Sequence, residues 1–244
     1  MSYIKQGDCL ELMKKIKDES IDLILCDLPY GTTACSWDVV IPFDKLWEQY
    51  NRIIKDNGAI VLHCQQPFTS QLIQSNLKMF KYCWVWNKHY ARGFLNAKKQ
   101  PLRVHEDIAV FYKKQCDYNP QMVKGKMRSK GNSNKQRGCY GDYKPIKTTN
   151  DMYYPKTILD FAGVSNPELL HPTQKPIELL EYLIKTYSNE KDIVLDNCMG
   201  SGSTIIAAIN TNRNYIGFEK DEKYFKIAED RINQRLKEEE NKLF

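Results

Sequence analysis

Asp27-Leu28-Pro29-Tyr30 closes the apolar run from Ile21 to Cys26 and is followed at once by Gly31 and Thr32. A carboxylate, a proline and an aromatic ring at the end of a buried run form a small polar cup with one flat wall. Such a cup suits a planar heterocycle that bears an amino group: Asp27 can accept a hydrogen bond from the amine, and Tyr30 can stack on the ring. Pro29 has a fixed φ and drives Leu28 toward an extended conformation, so the Leu28 carbonyl can aim beside the Asp27 carboxylate. The same four residues also suit an ordinary passage from strand to turn, with Tyr30 packed beneath the loop.

A second stretch, Asp196 to Thr204, follows the apolar run Ile193-Val-Leu and leads into the helical pattern from Ile205 to Asn210. A strand feeding a glycine-rich turn and then a helix permits close backbone approach and offers unpaired amides to a polar ligand. Three ligands compete for this turn. A triphosphate loop needs a lysine ahead of the hydroxyl residue, but Gly202 is followed by Ser203-Thr204. A dinucleotide fingerprint needs a third glycine where this chain has Ile205. S-adenosylmethionine carries ribose and adenine but no phosphate, so it needs neither device. Its carboxylate and sulfonium call for both signs of charge, which Lys175 and Asp196 can supply. Glu219 ends the next apolar run, Tyr215-Ile-Gly-Phe, where a carboxylate commonly holds a ribose diol.

The elements that must position these residues follow from periodicity. Tyr3–Lys5 reads as a short strand and Ile21–Cys26 as a buried one, so Asp8 and Asp27 fall at the carboxyl ends of two strands, the edge where open α/β sheets bind ligands. Asp8 equally suits the N-cap of a helix built on Leu10, Met13 and Ile16. Phe43–Ile54 predicts a helix that Asn57-Gly58 stops, with a strand at Ala59–Cys64. A helix from Pro67 to Leu77 and strands at Tyr82–Trp86 and Val104–Tyr112 follow. Short apolar strands alternating with helices predict an α/β fold built on a doubly wound, mostly parallel sheet.

From Lys113 to Asp160 the aliphatic period lapses. This segment holds eleven Lys and Arg against four Asp and no Glu, a balance of +7, whereas the whole chain is only +6. Tyrosines at 118, 140, 143, 153 and 154 interleave with the cations, a mixture suited to phosphate contact and base stacking; a solvated linker is the plainer reading, but linkers are poor in aromatics. The eight cysteines stand singly without a CxxC pair, and the four histidines have no ligand spacing, which argues against a zinc site and for a reducing cytoplasm. No stretch approaches a membrane span, so no membrane partner is expected.

Asp27 to Tyr30 resembles the catalytic tetrapeptide of amino-methyltransferases, Asp196 to Thr204 resembles their methionine-pocket loop, and His171-Pro-Thr-Gln-Lys-Pro176 the segment beside that loop. Trp86-Asn-Lys and His105-Glu106 are similar to weaker family segments. The order of the motifs resembles the beta class of DNA amino-methyltransferases, which implies a Rossmann-like methyltransferase fold. Residues 1–112 would form the catalytic half, 113–165 a target-recognition insertion, and 166–244 the S-adenosylmethionine-binding half. Asp27, Leu28, Pro29 and Tyr30 would be catalytic. Asp196, Gly200, Ser201 and Gly202 would shape the methionine pocket, with Asp27 at its border, Glu219 on the ribose hydroxyls, Thr173 and Lys175 at the amino-acid end and Asp8 near the adenine. Leu28 replaces a commoner proline, a change tolerable where a backbone carbonyl acts.

The resemblance implies methylation of the N6 amine of a flipped-out adenine in double-stranded DNA, in a cytoplasm of bacterial or phage origin, with a homodimer or a restriction endonuclease as further partners. N4-cytosine methylation is the alternative, although serine is the family's usual residue there in place of Asp27. A catalytically inactive DNA-binding relative is a third reading. Cytosine C5 chemistry is excluded, because it needs a Pro-Cys nucleophile and no proline here precedes a cysteine.

Overall fold

In the computed structural model the described residues are 2–33, 35, 38–130, 136–138, 141–143, 147–164, 170, 171 and 174–241. The chain enters as β1 (Tyr3–Gln6), α1 (Cys9–Met13) and β2 (Ile21–Asp27), then α2 (Phe43–Ile53), β3 (Ile54–Cys64), α3 (Phe68–Ser75), β4 (Phe80–Arg92) and β5 (Arg103–Phe111). β6 (Val123–Lys130), β7 (Gln136–Gly138), β8 (Gly141–Tyr143) and β9 (Thr148–Tyr153) lie in the basic segment. β10 (Ile158–Asp160), α4 (Ile177–Tyr187), β11 (Ile193–Asp196), α5 (Ser203–Asn210), β12 (Asn214–Glu219) and α6 (Glu222–Asn241) complete it.

Eight strands form one sheet in the order β1-β12-β11-β2-β3-β5-β4-β10. β5 alone runs antiparallel, to β3 on one side and β4 on the other; the remaining pairings are parallel. The alternation of side chains along each strand divides the core into two layers. Ile24 and Cys26 of β2 join Leu46, Tyr50 and Phe68 on the face covered by α1, α2 and α3. Leu23 and Leu25 join Leu180, Ile184 and Ile205 on the face covered by α4 and α5. This is the doubly wound, mostly parallel sheet that the alternation of elements predicts.

Two local expectations change. α2 ends at Ile53, four residues before Asn57-Gly58, and the chain passes directly into β3. The reason is long-range: Arg52 and Ile53 lend their carbonyls to the amides of Glu19 and Ser20, so the segment entering β2 ends the helix. Gly58 serves the sheet instead, for a Cβ there would lie 2.8 Å from the Asp22 carbonyl oxygen. β4 is also longer than expected, extending six residues past Trp86 to Arg92 and pairing with β5 as far as Arg103.

Residues 120–156 form a compact unit apart from 1–119 and 157–244. Within it β6 pairs antiparallel with β9, and the Arg128 guanidinium lies 3.5 Å over the centre of the Tyr153 ring. The Tyr153 hydroxyl donates to the Lys126 carbonyl at 2.8 Å. The flanking residues 113–119 are tied to the larger unit: Lys114 and Asp117 donate their amides to Asp56 and Asn57, and Asn119 donates to Thr186.

Candidate active site

The pleat places four ionisable groups together. Counting along each strand from the buried residues of the α4 face, Asp27 continues from Leu25, His63 from Val61, Glu106 from Ile108 and Lys88 from Trp86. Lys175, just ahead of the Pro176 N-cap of α4, lies on this row. Its ammonium is 2.5 Å from Asp27 Oδ2 and 3.5 Å from Glu106 Oε2, while Glu106 Oε1 takes Lys88 at 2.9 Å. All four of these charged side chains are at least four-fifths buried. Removing one member of such a row leaves an uncompensated buried charge, at a cost of about 3–5 kcal/mol.

The charges set one another's ionisation. Burial raises the Glu106 pKa, but Lys175 and Lys88 outweigh it and bring the group down to about 2. Burial likewise opposes the Lys175 charge, and the Asp27 and Glu106 carboxylates together hold its pKa above the ordinary lysine value. His63 is buried with neither ring nitrogen hydrogen-bonded, its ring set edge-on to Trp86 at 6.3 Å. Burial, helped by Lys175, pushes it down to about 4, so it is neutral at pH 7.

The tetrapeptide lies where the sequence places it, at the end of β2. The Tyr30 hydroxyl donates to Asp27 Oδ1 at 2.6 Å, and its ring stacks on Phe68 with centroids 5.0 Å apart. Tyr30 therefore orients the carboxylate as well as walling the cup. Asp38 closes the loop beyond it by accepting the amides of Gly31, Thr32 and Thr33 at 2.7 to 2.9 Å. Burial opposes that carboxylate's charge, but the Thr33 hydroxyl and the three amides hold its pKa below the ordinary range.

Asp27, Leu28, Pro29 and Tyr30 line one side of a cavity of about 640 Å3, and Asp8, Lys175, Asp196, Gly200, Ser201 and Glu219 also line it. Asp8 lines the cavity and also caps α1, its Oδ1 accepting the Leu10 amide at 3.0 Å. Asp196 is buried and accepts the Cys198 amide at 3.1 Å, yet burial still pushes its pKa to about 6. Glu219 latches the turn, its two oxygens accepting the Gly200 and Asp221 amides at 2.8 Å each, and burial raises its pKa. The Ser201 hydroxyl oxygen accepts a hydrogen bond from the Arg231 guanidinium at 3.1 Å.

Gly200 and Gly202 adopt φ of +51° and +81°, which only glycine takes without strain. Gly202 packs against α6, where a Cβ would meet the Ala228 methyl at 3.1 Å, and it does not line the cavity. Lys175, expected at the amino-acid end of the cofactor, has its ammonium held between Asp27 and Glu106. Thr173, expected beside it, lies outside the described residues. No sequence pattern marks Glu106, Lys88, His63 or Asp38 as site residues; His105-Glu106 and Trp86-Asn-Lys are the signals near the first two.

This set fits S-adenosylmethionine. A side-chain-free turn at Gly200 faces the cavity, a carboxylate at the end of β12 suits a diol, and Asp196 and Asp27 suit cationic groups.

The chain is similar to known proteins in sequence and in fold. A family model described as DNA methylase matches residues 21–230. The DNA adenine methyltransferase YhdJ of Escherichia coli K12 is 31% identical over 94% of this chain and 82% of its own length. The Type II methyltransferase M.HpaI of Haemophilus parainfluenzae is 28% identical over 94% of this chain and 74% of its own. Among solved structures, the M1.HpyAVI complex with SAM superposes with a TM-score of 0.65 at 26% identity, covering 95% of this chain and all of that one. The cytosine-N4-specific PvuII DNA methyltransferase shares the fold at 16% identity, with a TM-score of 0.66 over 96% of this chain and 90% of its own.

Proposed function

This chain belongs to the DNA methylase family, and from that premise we propose that it moves a methyl group from S-adenosylmethionine to the exocyclic N6 amine of an adenine flipped out of duplex DNA. The observation that carries this reading is Asp27, set in the wall of the cavity with one oxygen held by Tyr30 and the other by Lys175.

Bound S-adenosylmethionine supplies an electrophilic methyl group on a sulfonium. Glu219 and Asp8 would hold the nucleoside end, and Asp196 with the Gly200 turn the methionine end. An adenine amine is a poor nucleophile because its lone pair is delocalised into the ring. Asp27 and the Leu28 carbonyl would each accept one amine hydrogen and turn the lone pair out of conjugation. The new N–C bond would replace the S–C bond with the thioether S-adenosylhomocysteine as leaving group, and the nitrogen's surplus proton would pass along the Asp27 hydrogen bond to solvent. Pro29 fixes the carbonyl's direction, and Tyr30 with Phe68 behind it gives the base a replacement stack. Preorganised positioning of this kind carries most of the rate enhancement.

Asp27, in place of the serine usual in N4-cytosine relatives, favours adenine. Residues 120–156 would recognise the target, and a homodimer and a cognate restriction endonuclease are further partners to test. No helix among the described residues is long and apolar enough to cross a membrane, in keeping with action on DNA in a bacterial cytoplasm.

The test is methyl incorporation into duplex DNA followed by mass spectrometry of the nucleosides. N6-methyladenine is expected from the wild type and none from Asp27→Ala, whose S-adenosylmethionine binding should survive. N4-methylcytosine, or near-normal turnover by the variant, would overturn the assignment.

A further inference from the structure

The hairpin of β4 and β5 continues well beyond the site. In the sheet register Asp27 stands beside His63, His63 beside Ile108 and Ile108 beside Trp84, so Trp84 is level with the catalytic carboxylate. β4 runs in the same direction as β2, and its stretch from Trp84 to Arg92 spans up to roughly 26 Å at the usual strand rise. The hairpin therefore leaves the sheet on the edge where the cup opens.

Its tip has an unusual surface. Residues 88–105 contain Lys88, Arg92, Lys98, Lys99, Arg103 and two histidines, with no Asp or Glu. Lys88 is spent on Glu106, but Arg92 and Arg103 are exposed and directly paired across the ladder. Like charges placed opposite one another destabilise a hairpin, and a polyanion lying across them relieves the repulsion. Gly93, at φ +84°, turns the chain into a short 3-10 turn at Phe94–Asn96. There Phe94 is 77% and Leu95 89% exposed, with Tyr90 at 57% below them. Two adjacent large apolar side chains at a tip are left largely uncovered by the described residues.

We propose that this tip is a second DNA-contacting element, in which Arg92, Lys98, Lys99 and Arg103 straddle the phosphates beside the target and Phe94 and Leu95 enter the stack that the extruded base vacates. The proposal rests on the reading of the protein as a duplex DNA methyltransferase. Cations beside an apolar wedge match the two surfaces of an opened duplex, phosphate outside and base faces within. An anionic membrane also attracts basic and apolar groups together, but it gives no reason for the tip to rise from the edge that carries Asp27.

The experiment compares the full-length wild type with Phe94→Ser/Leu95→Ser in single-turnover methyl transfer. One substrate is a matched duplex, and the other carries a mismatch opposite the target. The variant should slow about tenfold or more on the matched duplex and recover most of that loss on the mismatch, where extrusion costs less. Equal losses on both substrates, or none on either, would overturn the wedge. In a salt series Arg92→Ala/Arg103→Ala should lower the slope of log K against log salt by about 1 to 2; an unchanged slope overturns the contact. So would loss of binding to phosphatidylserine vesicles with methylation intact. A wild type that binds duplex through the tip but transfers no methyl would refute the proposed reaction and leave the DNA contact standing.

Discussion

Asp27 is oriented by two partners of different kinds, a phenol on one oxygen and an ammonium on the other. Tyr30→Phe keeps the ring and its stack on Phe68 but releases Oδ1, removing a charge-assisted hydrogen bond worth roughly 1.5–3 kcal/mol. The expected result is a kcat about tenfold or more below wild type with the Kd for S-adenosylmethionine unchanged; wild-type kcat would mean that the ring alone suffices. Two other buried groups oppose each other in pH. The folded chain keeps His63 neutral down to about 4 while an unfolded histidine protonates near 6.5. Unfolding therefore takes up a proton in that window, and stability falls with pH by roughly 3 kcal/mol. Asp196 runs the other way: the fold protonates it at about 6 and the unfolded chain only near 3.8, so stability rises as pH falls. That gain is again roughly 3 kcal/mol. The two contributions nearly cancel between pH 6 and 4. Asp196→Asn should then expose a steep acid loss in chemical denaturation, and His63→Asn an acid gain. Two variants with the wild-type pH profile would contradict the account.

At the scale of elements, Gly58 of β3 lies tight against β2, where a Cβ would lie 2.8 Å from both the Asp22 carbonyl oxygen and Ile54 Cδ1. A backbone oxygen cannot move aside as a side-chain end can. Gly58→Ala should therefore cost about 1–3 kcal/mol, read as a lower Tm, while folded protein keeps its methyl-transfer rate because the strain sits five residues from His63 and the Asp27 level. An unchanged Tm would show that the strands can separate freely there. The same position marks where sequence reasoning stops. Asn57-Gly58 has the chemistry of a helix stop, but what ends α2 is a pair of hydrogen bonds from Glu19 and Ser20, distant in sequence. The strands carrying Asp27, Asp196 and Glu219 are legible because each is a mainly apolar run ending in a carboxylate. Glu106, Lys88 and His63 are not, because their meeting depends on β5 being inserted antiparallel between β3 and β4. Alternation assigns each residue a side of its strand and says nothing of which strand lies next to it. Lys175 was legible as a site residue from its motif, and only the sheet order reveals that it is held between Asp27 and Glu106.

At the scale of the whole molecule, the +7 balance of residues 113–160 exceeds the chain's net +6, leaving the remainder at −1. That charge is not all available to a partner. Lys113 and Lys114 pair with Asp56 in the larger unit, at 3.8 and 2.6 Å. Lys124, Lys126 and Arg128 recur at every second residue of β6, within the unit of residues 120–156, and of these Lys124 lies 3.9 Å from the Asp151 carboxylate. There Arg128 is ordered over the Tyr153 ring, and Gly125 leaves room for that ring, a Cβ at this position falling 2.8 Å from it. The pairing with β9 shifts register between Lys124 and Arg128, and the stacked guanidinium with lysines two and four residues away makes a basic strand suited to contact with phosphates. If each of the three contacts one phosphate, replacing all three by Gln should lower the salt slope of DNA binding by about 2.7, counting 0.9 per phosphate. Affinity should fall on any DNA sequence, and Tm and S-adenosylmethionine binding should hold. Lys113→Gln/Lys114→Gln removes two charges from the same stretch of sequence and should leave the slope as it was. Were both sets of variants to lower the slope in proportion to charge removed, long-range attraction by the net charge would account for DNA binding, and the β6 strand would have no special part in it.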